Sequence, residues 1–280
     1  MSSPFGISTH LFHAERLDRE HLVEVAAHGF EAVEVYATRT HFDYHDPRAA
    51  VALAEWLDDT RLSLNSVHAP TTVSFENGRW GETLSIATAD EGRRQHAVAE
   101  TIAALKLASV VPFRALVLHI GVPTTDPAGN SRSAAARSLE EIGEAAQALG
   151  VTVAVELIPN PLSLAARLVQ WLEDDLESPG MGVCLDVGHA NLTGDAMEAI
   201  ETCSGHIVTT HVHDNRGKRD EHLVPGEGAI DWEGVLMAFQ KVGYDGAWIF
   251  ELAPSAEPAA VLARASRARE MFERLLRFEQ

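Results

Sequence analysis

Along the whole chain, short apolar runs close on a histidine or a carboxylate. Ser-Val-His68, Leu-Val-Leu-His119, Val-Ala-Val-Glu156, Val-Cys-Leu-Asp186, Thr-Thr-His211 and Trp-Ile-Phe-Glu251 are the clearest six. Runs of this length with little polar alternation read as strands buried on both faces, so each closing side chain falls where a strand leaves the core. The densest stretch is Met181 to His189, where Asp186 and His189 are expected to emerge together as a strand gives way to a loop. Two further strand patterns, about 5–10 and 32–36, complete a set of eight. Helical patterns alternate with them, at about 18–28, 47–59, 90–107, 131–149, 162–172, 195–203, 232–242 and 258–277. Eight strand and helix pairs without a sequence repeat favour a (β/α)8 barrel, with an open doubly wound sheet as the alternative. A length of 280 residues with 46% hydrophobic composition suits one such α/β domain covering 1–280.

A barrel turns sequence position into spatial position, because the C-terminal ends of its strands share one mouth, where active sites are built. His68, His119, Glu156, Asp186, His211 and Glu251 are therefore expected to converge, joined by His189 and by Asp220 and His222 from the long polar loop after the seventh strand. Imidazole and carboxylate together suit zinc, manganese or iron better than calcium, and three or four such groups make one site. Nine are enough for one to three ions. Glu156 and Glu251 weigh most, since an acid drawn into a buried setting needs a cation or hydrogen-bond donors. His213 lies two residues past His211, so strand alternation points both the same way and leaves open which of them binds metal. His10, His189, His213, Arg216 and Trp80 are candidate substrate contacts, while His41 and His45 are read as shaping the rim.

The formal charge of -19, from 41 acids against 22 bases, repels polyanions and makes a nucleic-acid partner unlike this chain. One basic cluster, Arg216, Lys218 and Arg219, could neutralise a single phosphate or carboxylate, or simply form a solvated turn around Gly217. Two cysteines make no disulfide framework and fit a reducing compartment. With no apolar run of membrane-spanning length and no signal-like start, the expectation is a cytoplasmic protein without membrane contact. Homo-oligomerisation is left open.

Taken together, Val-His68-Ala-Pro, Leu-His119-Ile-Gly, Val-Glu156, Leu-Asp186-Val-Gly-His189, His211-Val-His-Asp-Asn, Asp220-Glu-His222-Leu-Val-Pro-Gly-Glu-Gly and Phe-Glu251 resemble the xylose-isomerase-like TIM-barrel superfamily, in order and over nearly the whole chain. That superfamily contains sugar isomerases and epimerases and also endonuclease IV. For the one-metal epimerases the resemblance implies an ion held by Glu156, Asp186, His211 and Glu251, with the two glutamates moving protons. For endonuclease IV it implies three zinc ions, adding His68, His119, His189, Asp220 and His222. Gly217 stands where some ketose epimerases carry a substrate-binding arginine, six residues after His211. The expected function is a divalent-metal-dependent isomerase, epimerase or related lyase of a small sugar or polyol derivative. The alternatives are a zinc-dependent phosphodiesterase acting on abasic DNA, and a metal-binding partner subunit without turnover.

Overall fold

Period-two alternation along the strands decides what faces the inside of the sheet and what faces the helices. A computed structural model describes residues 3–175 and 180–278. In chain order the strands are β1 (Phe5–Ser8), β2 (Ala32–Tyr36), β3 (Ser63–His68), the short pair β4 (Phe75–Glu76) and β5 (Arg79–Trp80), β6 (Ala115–Leu118), β7 (Thr152–Glu156), β8 (Met181–Asp186), β9 (Ile207–Val212) and β10 (Trp248–Phe250). The helices are α1 (Arg19–Ala27), α2 (Pro47–Thr60), α3 (Glu91–Leu105), α4 (Arg132–Leu149), α5 (Ala165–Gln170), α6 (Val187–Thr193), α7 (Ala196–Thr202), α8 (Trp232–Lys241) and α9 (Pro258–Phe278). The eight long strands are parallel neighbours in the order β1-β10-β9-β8-β7-β6-β3-β2 and close into a barrel. The open-sheet alternative is thereby excluded.

Val33, Val35, Leu116, Leu118, Val153, Val155, Val183 and Leu185 belong to the large core between barrel and helices. Burying each such side chain stabilises the fold by about 1.5–3 kcal/mol. Their alternates Ala115, Val117, Ala154 and Cys184 form a separate small-residue cluster with Val208 inside the barrel. One step of alternation beyond Ala154 and Cys184 come Glu156 and Asp186, so the interior changes from apolar to ionisable within two residues of each strand.

Seven helices begin on an oxygen cap. Asp18, Asp46, Asp90, Ser131, Asp186, Asp195 and Asp231 each accept from a backbone N–H of the first turn. Each cap is worth about 1 kcal/mol, and those other than Asp186 account for part of the acidity by a structural role alone.

Four local departures from the sequence reading have clear causes. β1 stops at Ser8, whose hydroxyl accepts from His10 N and starts a 3-10 turn over Thr9–Phe12. Helix α5 begins at Ala165 because Asn160 Oδ1 accepts from the amides of Leu162 and Ser163 and holds that segment in a turn. No loop follows β8, since Asp186 both ends the strand and caps α6. The segment around Trp80 is a hairpin, with Asn77 and Gly78 at φ 51° and 72°. Positive φ at both central positions is the tight turn that an Asn-Gly pair favours. Both cysteines are free and buried, and no helix among the described residues is long and apolar enough to cross a membrane.

Candidate functional site

Six strand ends and the loop after β9 meet at a cavity of about 720 Å³ in the barrel mouth. At its floor the imidazole of His211, fully buried on β9, turns Nδ1 towards three carboxylates. Glu156 Oε1 and Glu251 Oε2 each lie 3.4 Å away and Asp186 Oδ2 3.8 Å away. Neither His211 Nδ1 nor Glu156 Oε1 has a hydrogen-bond partner, although both atoms are buried. Two orphaned buried polar atoms facing one point within a ring of carboxylates fit a cation there, because leaving them unpaired would cost several kcal/mol. The four ligand atoms of Glu156, Asp186, His211 and Glu251 all lie within 4.8 Å of one another.

The back of His211 explains why Nδ1 is the inward atom. Its Nε2–H donates to both oxygens of Glu34, each at 3.1 Å, and Ser66 Oγ donates to Glu34 Oε2 at 2.8 Å. Burial alone would raise the Glu34 carboxyl, but His211 outweighs it and holds the group below the usual carboxylate range. Burial likewise opposes the charge on Glu156 and Asp186, and the surrounding imidazoles keep both ionised: His119 and His211 for Glu156, His189 and His213 for Asp186.

Above this floor stand further imidazoles with a common construction. His68, His189 and His222 each donate Nδ1–H to a backbone carbonyl, of Ala69, Leu157 and Glu251 at 2.8, 2.9 and 2.8 Å. Each is thereby left with Nε2 pointing inward, the arrangement in which an outer hydrogen bond fixes a metal-binding tautomer. His68 and His119 both place Nε2 3.1 Å from Glu156 Oε2, so this carboxylate joins the floor with one oxygen and a second group with the other. His189 and His222 place Nε2 3.1 Å from Asp220 Oδ2, and with His213 these make a third group near the rim. Although burial disfavours the cation, the Asp220 carboxylate raises His222 to about 9.

His213 lies behind this surface rather than on it. Its Nε2 donates to Asp186 Oδ2 at 3.1 Å, its ring stacks on His222 with centroids 3.9 Å apart, and it does not line the cavity. Gly188 makes room for it: a Cβ there would overlap the His213 ring. Asp186 performs two tasks at once, capping α6 through Oδ1, 2.7 Å from His189 N, while Oδ2 faces His213. His10 and Trp80 line the mouth as expected from the sequence. His10 donates Nδ1–H to Leu252 O at 3.0 Å, and burial with His222 and His13 nearby keeps it neutral, well below the usual histidine range. Arg216 departs from expectation. Its guanidinium donates to Glu221 at 2.6 Å and to Glu227 O at 3.2 Å and does not reach the cavity. His41 is fully buried under the rim, donating to Glu15 O at 2.6 Å and lying 3.0 Å from Thr9 Oγ1.

Three contributors escape a reading confined to strand ends. Glu34 sits in mid-strand, and its signal was an acid inside Ala-Val-Glu-Val-Tyr, which must find a partner when buried. Tyr36, two residues on, lines the cavity and bonds Thr71 Oγ1 at 3.0 Å. Asp214 knots the loop after β9: its carboxylate accepts from the amides of Asn215, Gly226, Ala229 and Ile230 and from Trp232 Nε1, at 2.8–3.2 Å.

Residues 22–275 match the family described as xylose isomerase-like TIM barrel. Protein MJ1311 of Methanocaldococcus jannaschii, itself uncharacterised, is 30% identical over 255 residues, covering 86% of this chain and 81% of its own length. The L-ribulose-5-phosphate 3-epimerase UlaE of Salmonella paratyphi A is 25% identical over 268 residues, 94% of this chain and 92% of that one. Among solved structures, a D-tagatose 3-epimerase-like protein superposes with TM-score 0.81 at 26% identity, covering 98% of this chain and 97% of its own.

Proposed function

The chain belongs to the xylose isomerase-like TIM-barrel family, where its similar proteins include sugar epimerases, and from that premise we propose that it is itself a metal-dependent epimerase or isomerase of a small sugar. The observation that carries the reading is the inward pair of orphaned atoms, His211 Nδ1 and Glu156 Oε1, in a ring closed by Asp186 and Glu251. These four residues would hold a divalent ion, zinc or manganese by their chemistry, and such an ion supplies a Lewis acid for a neighbouring carbonyl and hydroxyl.

The protein's own part is to move a proton beside that carbonyl. Inverting a carbon requires removal of its proton on one side and delivery on the other, which takes two acid–base groups rather than one. Glu156 enters from β7 and Glu251 from the end of β10, with β8 and β9 between them. Glu156 is anchored by His68 and His119 through Oε2, whereas Glu251 contacts His211 and His222 only at 3.4 and 3.7 Å. The looser Glu251 is the group assigned to take the proton from one face, and Glu156, once protonated by water in the mouth, the one that delivers a different proton to the other face. His189 and His10, with inward nitrogens at the cavity wall, would orient substrate hydroxyls.

Incubation with a ketose in deuterium oxide should introduce deuterium next to the carbonyl, read by NMR, and Glu251→Gln should abolish it. Failure of any of the family's ketoses to exchange, with metal bound, would end this reading. One observation favours a second: four possible ligand groups, three of them sharing Glu156, together contain all nine residues that the endonuclease IV resemblance implies, with His213 and Cys184 in addition. Nicking of abasic duplex DNA that is stopped by chelation would establish that alternative.

A further inference from the structure

Sugar epimerases act on free and on phosphorylated sugars, and the two make opposite demands on the outer half of a barrel mouth. A phosphate needs lysine or arginine, or free amides at a loop or helix start. Among the described residues, no lysine or arginine lines this cavity. Of the cations on the surrounding loops, Arg216 is paired with Glu221, Arg39 with Asp43 at 3.6 Å and Arg93 with Glu82 at 3.5 Å, while Lys218 and Arg219, exposed on the loop after β9, do not line the cavity. Arg79 pairs in register with Glu76, on the face of the hairpin opposite to Phe75 and Trp80, which pack on His13. The amides are committed too. In many barrels the loop after the seventh strand cradles phosphate, but here the Asp214 carboxylate occupies its Gly226, Ala229 and Ile230 N–H groups. Gly217 N donates to Asn215 Oδ1, and Val122 N to Asn130 Oδ1. The wall formed by the hairpin and the loops after β6 and β7 is instead apolar or hydroxylic, with Leu84, Val122, Ile158, Trp80 and Thr83, and the one charge on that side is the acid Asp126, while Asp220 and His222 stand on the loop after β9.

Resting on the epimerase reading, we infer that the cavity takes an uncharged sugar, lying with a C–H face against the Trp80 and Ile158 wall, and rejects its phosphate ester. A phosphate placed against that wall would lose water and face Asp126 with no lysine or arginine to offset it. The test compares L-ribulose with L-ribulose 5-phosphate on the metal-loaded protein, measuring kcat/KM for deuterium exchange. The free sugar should be favoured at least about tenfold, a difference of about 1.4 kcal/mol, and Thr124→Arg, which puts a cation on the cavity wall near Asp126, should narrow that ratio. Preference for the phosphate ester would overturn the inference while leaving the epimerase reading intact. If neither sugar exchanges, the epimerase reading fails, and titration of inorganic phosphate against tryptophan fluorescence decides the rest. No saturable change supports a phosphate-free mouth, and saturation below about 1 mM, a binding free energy near 4 kcal/mol, overturns it.

Discussion

The floor group of Glu156, Asp186, His211 and Glu251 and the rim group of His189, His213, Asp220 and His222 share residue types but differ in how they are held. All four floor residues are at most 4% exposed, lie on or beside barrel strands, and have Glu34 and Ser66 behind His211. The rim group depends on the long loop after β9, and its one carboxylate, Asp220, has a side chain 39% exposed. Strands locked by their neighbours give the floor a fixed shape, whereas a loop acid with water on one side is easily displaced. The floor is thus suited to chemistry and the rim to tuning it.

Glu251→Gln gives the largest expected effect, a loss of deuterium exchange of about a thousandfold or more, with an unchanged circular dichroism spectrum. An equal loss on changing a rim residue would erase the distinction between the groups. Glu34→Gln comes next, because a buried partner behind a ligand histidine typically controls about 10–100-fold of metal affinity or activity. Isothermal titration with zinc should show weaker binding at the floor, and no change would mean that Glu34 is only packing.

The rim should reveal itself in pH. His222 has its folded value raised to about 9 from the ordinary 6.5, so the stability it contributes is complete below pH 6.5 and is lost as pH rises through 9. Allowing for screening at the exposed Asp220, the chelated protein should lose about 1–2 kcal/mol over that window, and His222→Gln should flatten the loss. Urea melts at pH 6 and pH 9 would measure it. The smallest expected effect is that of His222→Ala on the metal-loaded enzyme. Elemental analysis should show fewer ions per chain, yet exchange should fall by less than about tenfold, because Glu156 and Glu251, the carboxylates proposed to move the proton, stay in place. An ion count untouched by this change would remove the rim group from metal binding.

The barrel and most of the floor were legible because strands buried on both faces leave unbroken apolar runs, and whatever ends such a run must emerge at the mouth. Glu156, Asp186, His211 and Glu251 announce themselves in that way. Glu34 does not, since it supports from within a strand and the pattern of strand endings passes over it. Alternation treats His211 and His213 alike, and only the structure shows how their settings differ, with the Glu34 carboxylate behind His211 and the Asp186 carboxylate in front of His213. Arg216 misled because its fate depends on the path of a loop that brings Glu221 and the Glu227 carbonyl against it. The hairpin at Asn77-Gly78 carried a readable turn signal, although its two-residue strands are too short to show alternation.

Gly188 has a mechanical consequence. The volume its missing side chain would occupy is filled by the His213 ring from the neighbouring strand, which plugs the start of α6 like a peg in a socket. Asp186, His189 and the end of β9 must then travel as one rigid body. His189 thereby keeps its spacing from the floor, and even an added methyl at position 188 should push the two apart.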